Sequence, residues 1–305
     1  MTRYGFVFPG QGSQKVGMGK SFYDQDQDVR DLFKKAKNIM GRDIASICFE
    51  GPQDELIKTT NTQPGIFLVS VAVSILLQKR GIMPEIVAGH SLGELSAYYV
   101  AGVLDLESAI KVIAKRSEAM GAAYPAEDSA MAAVLGMDVA KIGSIIEPLK
   151  NYPVVIANYN SFEQTVISGT KVGVASAITA LKENGAKAIP LKVSGAFHSP
   201  LMQKGSEVLA EYLPGVSFSD AKLPLVLNRT ANVEVDANNL RNNLSEQIIS
   251  SVQWVDTIKL LDQKVDVIIE CGPGNVLSGL IKKILPEKKV LNVMSWDDLE
   301  GIIAV

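Results

Sequence analysis

Between residues 126 and 196 the strand and helix signals follow one another in the order β-α-β-β-α-β. That order is the ferredoxin-like unit, and roughly 70 residues are enough to form a small domain of this kind. Before this segment, short apolar strand candidates alternate with longer helices, a pattern typical of a parallel sheet. The sequence therefore predicts an α/β protein with a large subdomain, residues 1–125 and 197–305, and an inserted ferredoxin-like subdomain at 126–196.

One helix candidate is far more apolar than the others. The segment "TTNTQPGIFLVSVAVSILLQKRG" predicts a helix that begins near Pro64 and ends before Gly81, buried over most of its length. Its apolar run, residues 66–77, is too short to span a bilayer, and the first ten residues lack the apolar run of a signal peptide. These features predict a soluble cytoplasmic protein without a membrane partner.

The composition excludes several classes of partner. A net charge of −3 gives no basic field for nucleic acid or for an anionic membrane surface. Cys48 and Cys271 lie far apart, without the spacing of a zinc site or a disulfide framework, so we expect two reduced thiols and no metal. With 47% hydrophobic residues in 305, the chain can bury a sizeable core.

Residues 89–93, "GHSLG", match the pattern G-x-S-x-G. In that pattern the glycines allow a strand to turn sharply into a helix, which exposes the serine hydroxyl at the helix N-terminus. The pattern alone is weak, but "EIVA" before it and "ELSAYYVAG" after it supply the strand and the helix. Ser91 is therefore a candidate nucleophile, and the alternative is a small residue in a tight structural turn.

A serine nucleophile needs a base, and the chain has only two histidines. His90 is the direct neighbour of Ser91, and adjacent side chains diverge on an extended turn. His198, in "SGAFHSP", is therefore the candidate base, the alternative being an inert histidine bonded to the backbone. No Asp or Glu lies between residues 184 and 206, so the acidic member of a triad is unassigned.

Arg116 falls on the apolar side of the helix predicted at residues 105–120. It follows Ala109, Val112 and Ile113 at helical spacing and so shares their buried face. A buried arginine is costly unless a carboxylate or phosphate pairs with it. Three explanations remain open: a carboxylate-bearing ligand, an internal ion pair, or a side chain that extends to water.

A glycine-rich loop, "PGQGSQKVGMG", follows the first predicted strand. It is not a P-loop, because the earlier glycine which that motif requires would fall on Gln14, and Lys15 interrupts the dinucleotide motif G-x-G-x-x-G. Its free backbone N–H groups, with that of Leu92 after the serine, could hold the oxyanion of an acyl-transfer intermediate. The alternative is a plain surface turn.

Taken in order, the segments "FPGQGSQ", "TQP", "GHSLGE", "AFHSP", "EQIISSVQW" and "ECGPGNVLSGL", together with Arg116, resemble the malonyl-CoA:acyl carrier protein transacylase family. The resemblance covers nearly the whole chain. It implies that Ser91 carries a malonyl ester, that His198 is the general base and acid, and that Arg116 binds the malonyl carboxylate. The family fold joins an α/β-hydrolase-like subdomain to an inserted ferredoxin-like one.

The same resemblance assigns the remaining site residues. It implies an oxyanion hole made by the backbone N–H groups of Gln11 and Leu92, and a main-chain carbonyl of Gln247 that orients His198. Phe197, directly before the histidine, is similar to the residue of family members that select malonyl units.

The implied reaction moves a malonyl group from malonyl-CoA to the phosphopantetheine thiol of acyl carrier protein, for fatty acid synthesis. We expect a monomer that needs no cofactor beyond its coenzyme A thioester substrate. One alternative is an acyltransferase that serves a polyketide synthase in trans. A second alternative is a serine esterase, which would have an acidic triad residue and no arginine in the pocket. A third is a non-catalytic module that binds a carrier protein.

Overall fold

The protein, in a computed structural model, is described over residues 1–149, 153–193 and 195–302. Residues 150–152 and 194 of the predicted small subdomain, and 303–305 of the predicted large one, lie outside the described residues. The strands are β1 Tyr4–Phe8, β2 Pro84–Gly89, β3 Ser129–Leu135, β4 Val154–Ser161, β5 Gln164–Thr170, β6 Lys187–Pro190, β7 Leu225–Val226, β8 Val233–Glu234, β9 Val267–Cys271 and β10 Lys289–Val293. The helices are α1 Lys20–Gln25, α2 Gln27–Met40, α3 Ile44–Glu50, α4 Gln53–Leu56, α5 Thr59–Lys79, α6 Gly93–Val100, α7 Leu106–Ala122, α8 Val139–Ile146, α9 Lys171–Glu183, α10 Gln203–Tyr212, α11 Ala237–Gln247, α12 Trp254–Lys264, α13 Val276–Ile284 and α14 Trp296–Gly301.

The larger sheet has the strand order β10-β9-β1-β2-β7-β8. Its strands run parallel from β10 to β7, and β8 pairs antiparallel with β7. Side chains alternate between its faces: Phe6 and Phe8 join the core that contains α5, whereas Val7 joins the core that contains α12 and α13. The sheet therefore lies between two helical layers, and the predicted α/β class with a parallel sheet is confirmed.

The smaller sheet has the strand order β4-β5-β3-β6, with every pair antiparallel. This is the ferredoxin-like arrangement, so the predicted second sheet is confirmed. Helices α8 and α9 pack on one face, around Ile142 and Leu181. On the other face Met131 and Val166 join the core of the large subdomain. The strands span residues 129–190, and the subdomain boundaries at 126 and 196 stay a prediction.

Helix α5 begins at Thr59, five residues before the predicted start at Pro64. A proline inside a helix leaves the carbonyl four residues earlier without its hydrogen bond. Here that carbonyl belongs to Thr60 and accepts from the Arg42 guanidinium at 2.8 Å, so the helix continues through the proline. Among the described helices α5 alone is long and apolar enough to cross a membrane, and 89% of its most apolar window is buried inside the protein.

Candidate active site

The carboxyl ends of neighbouring parallel strands bring the candidate residues to one edge of the large sheet. The loop with Gln11 follows β1, Ser91 follows β2, and the residues after β7 and β9 lie at the same edge. Open α/β sheets bind ligands at this edge. The parallel sheet therefore gathers segments that are far apart in the sequence.

Ser91 occupies a strained turn between β2 and α6, with a φ of 53°. Both flanking glycines are required by close packing. A Cβ on Gly89 would lie 1.9 Å from the Gly93 carbonyl carbon, and a Cβ on Gly93 would lie 2.1 Å from the Phe8 carbonyl oxygen. The tight approach of strand and helix therefore forces the turn and leaves the serine hydroxyl at the start of α6.

His198 lies against Ser91 although 107 residues separate them. Its Nε2 is 2.7 Å from the Ser91 Oγ. On the other side of the ring, Nδ1 lies 3.1 Å from the carbonyl oxygen of Gln247 and 3.0 Å from that of Ser250. Carbonyl oxygens only accept hydrogen bonds, so Nδ1 carries the proton and the Nε2 lone pair faces the serine.

Burial is the main cause that lowers the pKa of His198 to about 3, from an ordinary value of 6.5. The positive charge of Arg116 acts in the same direction, and the hydrogen bonds to Ser250 and Gln247 oppose it. The imidazole is therefore neutral at physiological pH and able to accept a proton.

We expect His198 to stay neutral from pH 8 down to about pH 4. Between pH 6.5 and pH 3 the unfolded chain binds the extra proton, so the free energy of unfolding should fall as the pH falls through this window. Imidazole chemical shifts measured by NMR against pH test this, and His90→Gln assigns the two signals. A His198 signal that titrates near pH 6.5 contradicts the expected neutral form.

His90 is turned away from the serine. Its Nε2 lies 2.8 Å from the Asn160 Oδ1, and its ring meets Trp254 edge-on with the centroids 5.3 Å apart. The structure therefore pairs Ser91 with His198 and uses His90 to join the large subdomain to strand β4 of the small one.

Arg116 is almost completely buried, with 1% of its surface exposed, which rules out a side chain extended to water. Its Nη1 donates to Gln63 Oε1 and its Nη2 to Gln247 Oε1, both at 2.7 Å, and Nη2 also lies 3.4 Å from Ser91 Oγ. In the described part of the chain no carboxylate lies within ion-pair distance of it. Burial lowers its pKa to about 10, opposed by the charge of Glu94, so it stays protonated.

The backbone N–H groups near the serine differ in what they bind. The N–H of Ser91 is taken by Asn228 Oδ1 at 2.7 Å. Within the described residues, the N–H groups of Gln11 and Leu92 donate to no protein acceptor, and both residues line the same cavity as Ser91. Two free donors therefore remain beside the serine, as an oxyanion hole requires.

A cavity of about 320 Å³ opens between the two subdomains at Ser91 and His198. The large subdomain contributes the loop of residues 10–13, and the small one contributes Met131 and Val166. Phe197, 6% exposed, lies in the wall next to the histidine. No group of three or more His, Cys, Asp or Glu in the described residues could hold a metal ion.

Several residues of this arrangement were missed by the sequence analysis. Gln63 stands in the quoted segment "TQP" and Glu94 in "GHSLGE", but neither segment indicates what its polar side chain contacts. Asn228 follows a strand of two residues, too short to be recognised, and Ser250 contributes only its carbonyl group. No local pattern could have found the last two.

Fold and site together define an acyl-transfer enzyme with a serine beside a histidine. The family model described as the acyl transferase domain matches residues 5–295. A malonyl CoA-acyl carrier protein transacylase of Bacillus subtilis is 42% identical over 304 residues, 98% of this chain and 96% of that relative. The chain therefore belongs to the acyl transferase domain family, in its malonyl CoA-acyl carrier protein transacylase group.

Two solved structures show the same architecture. A malonyl CoA-acyl carrier protein transacylase from Coxiella burnetii superposes with a TM-score of 0.96 at 37% identity, covering 99% of this chain and 97% of that one. A malonyl-transacylase in complex with a type II PKS acyl-carrier protein gives a TM-score of 0.95 at 36% identity, covering 98% of both chains. The likeness extends over both subdomains.

Proposed function

We propose that this protein transfers a malonyl group from malonyl-CoA to the phosphopantetheine thiol of acyl carrier protein, by way of an ester on Ser91. The observation that carries the proposal is the contact of 2.7 Å between His198 Nε2 and Ser91 Oγ, next to a buried arginine that has no carboxylate partner among the described residues. The names of the relatives, malonyl CoA-acyl carrier protein transacylases, support the choice of both substrates.

The first half-reaction acylates the serine. His198 Nε2 takes the proton from Ser91 Oγ as the oxygen attacks the thioester carbonyl carbon. The N–H groups of Gln11 and Leu92 hold the negative charge that develops on the carbonyl oxygen. The carbon–sulfur bond then breaks, and His198 returns its proton to the sulfur of coenzyme A.

The second half-reaction reverses these roles. The phosphopantetheine thiol gives its proton to His198, and the sulfur attacks the ester carbonyl carbon. When the carbon–oxygen bond breaks, Ser91 Oγ takes the proton back and malonyl acyl carrier protein leaves. The two substrates, Ser91 and His198 account for every bond and proton in these steps, so we propose a reaction without a cofactor.

Arg116 binds the malonyl carboxylate in this mechanism. Its Nη2 lies 3.4 Å from Ser91 Oγ, and the amide oxygens of Gln63 and Gln247 hold its two terminal nitrogens. A carboxylate supplies the negative charge that these neutral amides do not. Phe197 limits the space around the acyl group and so favours malonyl over branched units.

The contacts of His198 disfavour a serine esterase. In a Ser-His-Asp hydrolase a carboxylate accepts from Nδ1, but here two carbonyl oxygens occupy that side.

We also propose that the protein is a cytoplasmic monomer without nucleic acid or membrane partners, and that it serves fatty acid synthesis. Transfer rates to carrier proteins of fatty acid and polyketide systems distinguish the two acceptors.

We expect ping-pong kinetics, because coenzyme A leaves before acyl carrier protein binds. Reciprocal plots against malonyl-CoA at several fixed concentrations of acyl carrier protein should be parallel. The acylated protein, isolated after incubation with malonyl-CoA alone, should pass its label to added phosphopantetheinylated carrier protein but not to carrier protein lacking that group. Intersecting lines, or free malonate as the main product, contradict the proposed transfer.

A further inference from the structure

Asn228 is a buried side chain that joins both sides of the serine turn. Its Oδ1 accepts from the Ser91 N–H at 2.7 Å, and its Nδ2 donates to the Gly89 carbonyl at 2.5 Å. A positive φ costs energy in a residue other than glycine and persists only where the surroundings hold it. These two hydrogen bonds hold Ser91 in that conformation, and the pairing of β7 with β2 brings Asn228 to the turn.

Glu94, three residues beyond the serine on α6, holds Asn228 in place. The Glu94 side chain is fully buried. Its Oε2 accepts from the Asn228 backbone N–H at 2.5 Å, and its Oε1 accepts from the Asn243 side chain at 2.6 Å. Both partners are hydrogen-bond donors, and the two oxygens of a carboxylate can accept from both. A glutamine amide has only one oxygen, so its NH₂ group would face one of the two donors.

Glu94 is also connected to the site by hydrogen bonds that pass through helix α11. Asn243 and Gln247 lie one turn apart on that helix, so the contact with Glu94 also fixes the position of Gln247. Gln247 accepts from Arg116 at 2.7 Å and donates to the Ser91 carbonyl at 2.9 Å. Glu94 is thus connected both to the nucleophile turn and to the guanidinium group.

We propose that Glu94 and Asn228 are positioning residues for acyl transfer, which hold Ser91 Oγ in line with His198 without touching the substrate. Glu94 also positions Arg116 through α11. The inference rests on the proposed function, since it takes Ser91 as the nucleophile. Neither residue is among those of the described chain that line the cavity, so each acts through its neighbours.

Two variants test the two contacts separately. Asn228→Ala removes both bonds to the turn, and Glu94→Gln keeps the side-chain size but places an amide group against a donor. We expect each to lower kcat for malonyl transfer about 10- to 100-fold, the usual cost of a misplaced reacting group. For Asn228→Ala the KM for malonyl-CoA should change less than about threefold, because the cavity and Arg116 are unchanged. Glu94→Gln should also narrow the preference for malonyl over acetyl groups.

Labelling by a fluorophosphonate measures the reactivity of Ser91 without a malonyl group. The rate of labelling should fall in Asn228→Ala and in Glu94→Gln by a factor similar to the loss in kcat. Ser96→Ala is the matched control, because Ser96 is a buried residue of the same helix whose Oγ has no partner among the described residues. This control should keep the wild-type kcat and labelling rate.

The outcomes separate the inference from the proposed function. If wild-type Ser91 reacts with the fluorophosphonate but not with malonyl-CoA, the proposed function fails, and the labelling rates alone decide the positioning role. Unchanged labelling and kcat in both variants overturn that role. A loss that matches the folded fraction, measured by circular dichroism, overturns it as well. If Glu94→Gln does not fold, Asn228→Ala decides.

Discussion

Ser91→Ala is expected to lower malonyl transfer by a factor of about 10⁴ or more. The ester cannot form without Oγ, and the oxyanion donors and Arg116 that remain can only orient a direct exchange between the two thiols. The turn itself should persist, because Gly89 and Gly93 set its close packing and Asn228 bonds only to backbone groups there. The variant should therefore fold and still bind malonyl-CoA.

Mass spectrometry of peptides after incubation with malonyl-CoA checks this result. The wild-type peptide that contains Ser91 should gain one malonyl group, and the variant should gain none. Ser70→Ala is the control, since Ser70 is buried in α5 outside the cavity and its loss should leave the label in place. A malonyl group on any other residue of the wild type refutes the assignment of the nucleophile.

Features of the fold that depend on local sequence could be predicted. The alternation of strands and helices gave the parallel sheet, and the β-α-β-β-α-β order gave the second sheet. The start of α5 was not predicted, because Pro64 is typical of a helix start and the Thr60 carbonyl that the proline leaves free is bonded by Arg42. That partner lies 18 residues away, outside any local helix signal.

In the candidate site, too, the sequence predicted the reacting residues but not the contacts that position them. Residue type and spacing were enough to nominate Ser91, His198 and Arg116, which the structure brings together. The contacts that hold these residues could not be predicted from the sequence, because Asn228 reaches the serine through the pairing of β7 with β2. The side chain of Gln247 likewise meets Arg116 only when α11 packs beside the turn. Hydrophobic periodicity predicts which face is buried, but not which polar groups meet there.

Arg116→Ala is expected to lower kcat/KM for malonyl-CoA by roughly 10²- to 10³-fold, or about 3–4 kcal/mol. In the variant the malonyl carboxylate would lose the buried guanidinium group that pairs with it. An acetyl group has no carboxylate, and in the wild type it leaves the guanidinium with the neutral amides of Gln63 and Gln247 and without an ion pair among the described residues. Its transfer should therefore gain relative to malonyl transfer, so that the ratio of the two kcat/KM values falls sharply.

Competition between malonyl-CoA and acetyl-CoA for one carrier protein measures that ratio directly. Lys111→Ala is the matched control: it removes one positive charge from the same helix, but from an exposed side chain paired with Glu107. Arg116→Lys should give an intermediate ratio, because a lysine keeps the charge but loses the two-pronged hydrogen bonding. If Arg116→Ala leaves the ratio unchanged, the arginine only supports the fold around Gln63 and Gln247, and malonyl selection must come from the cavity wall.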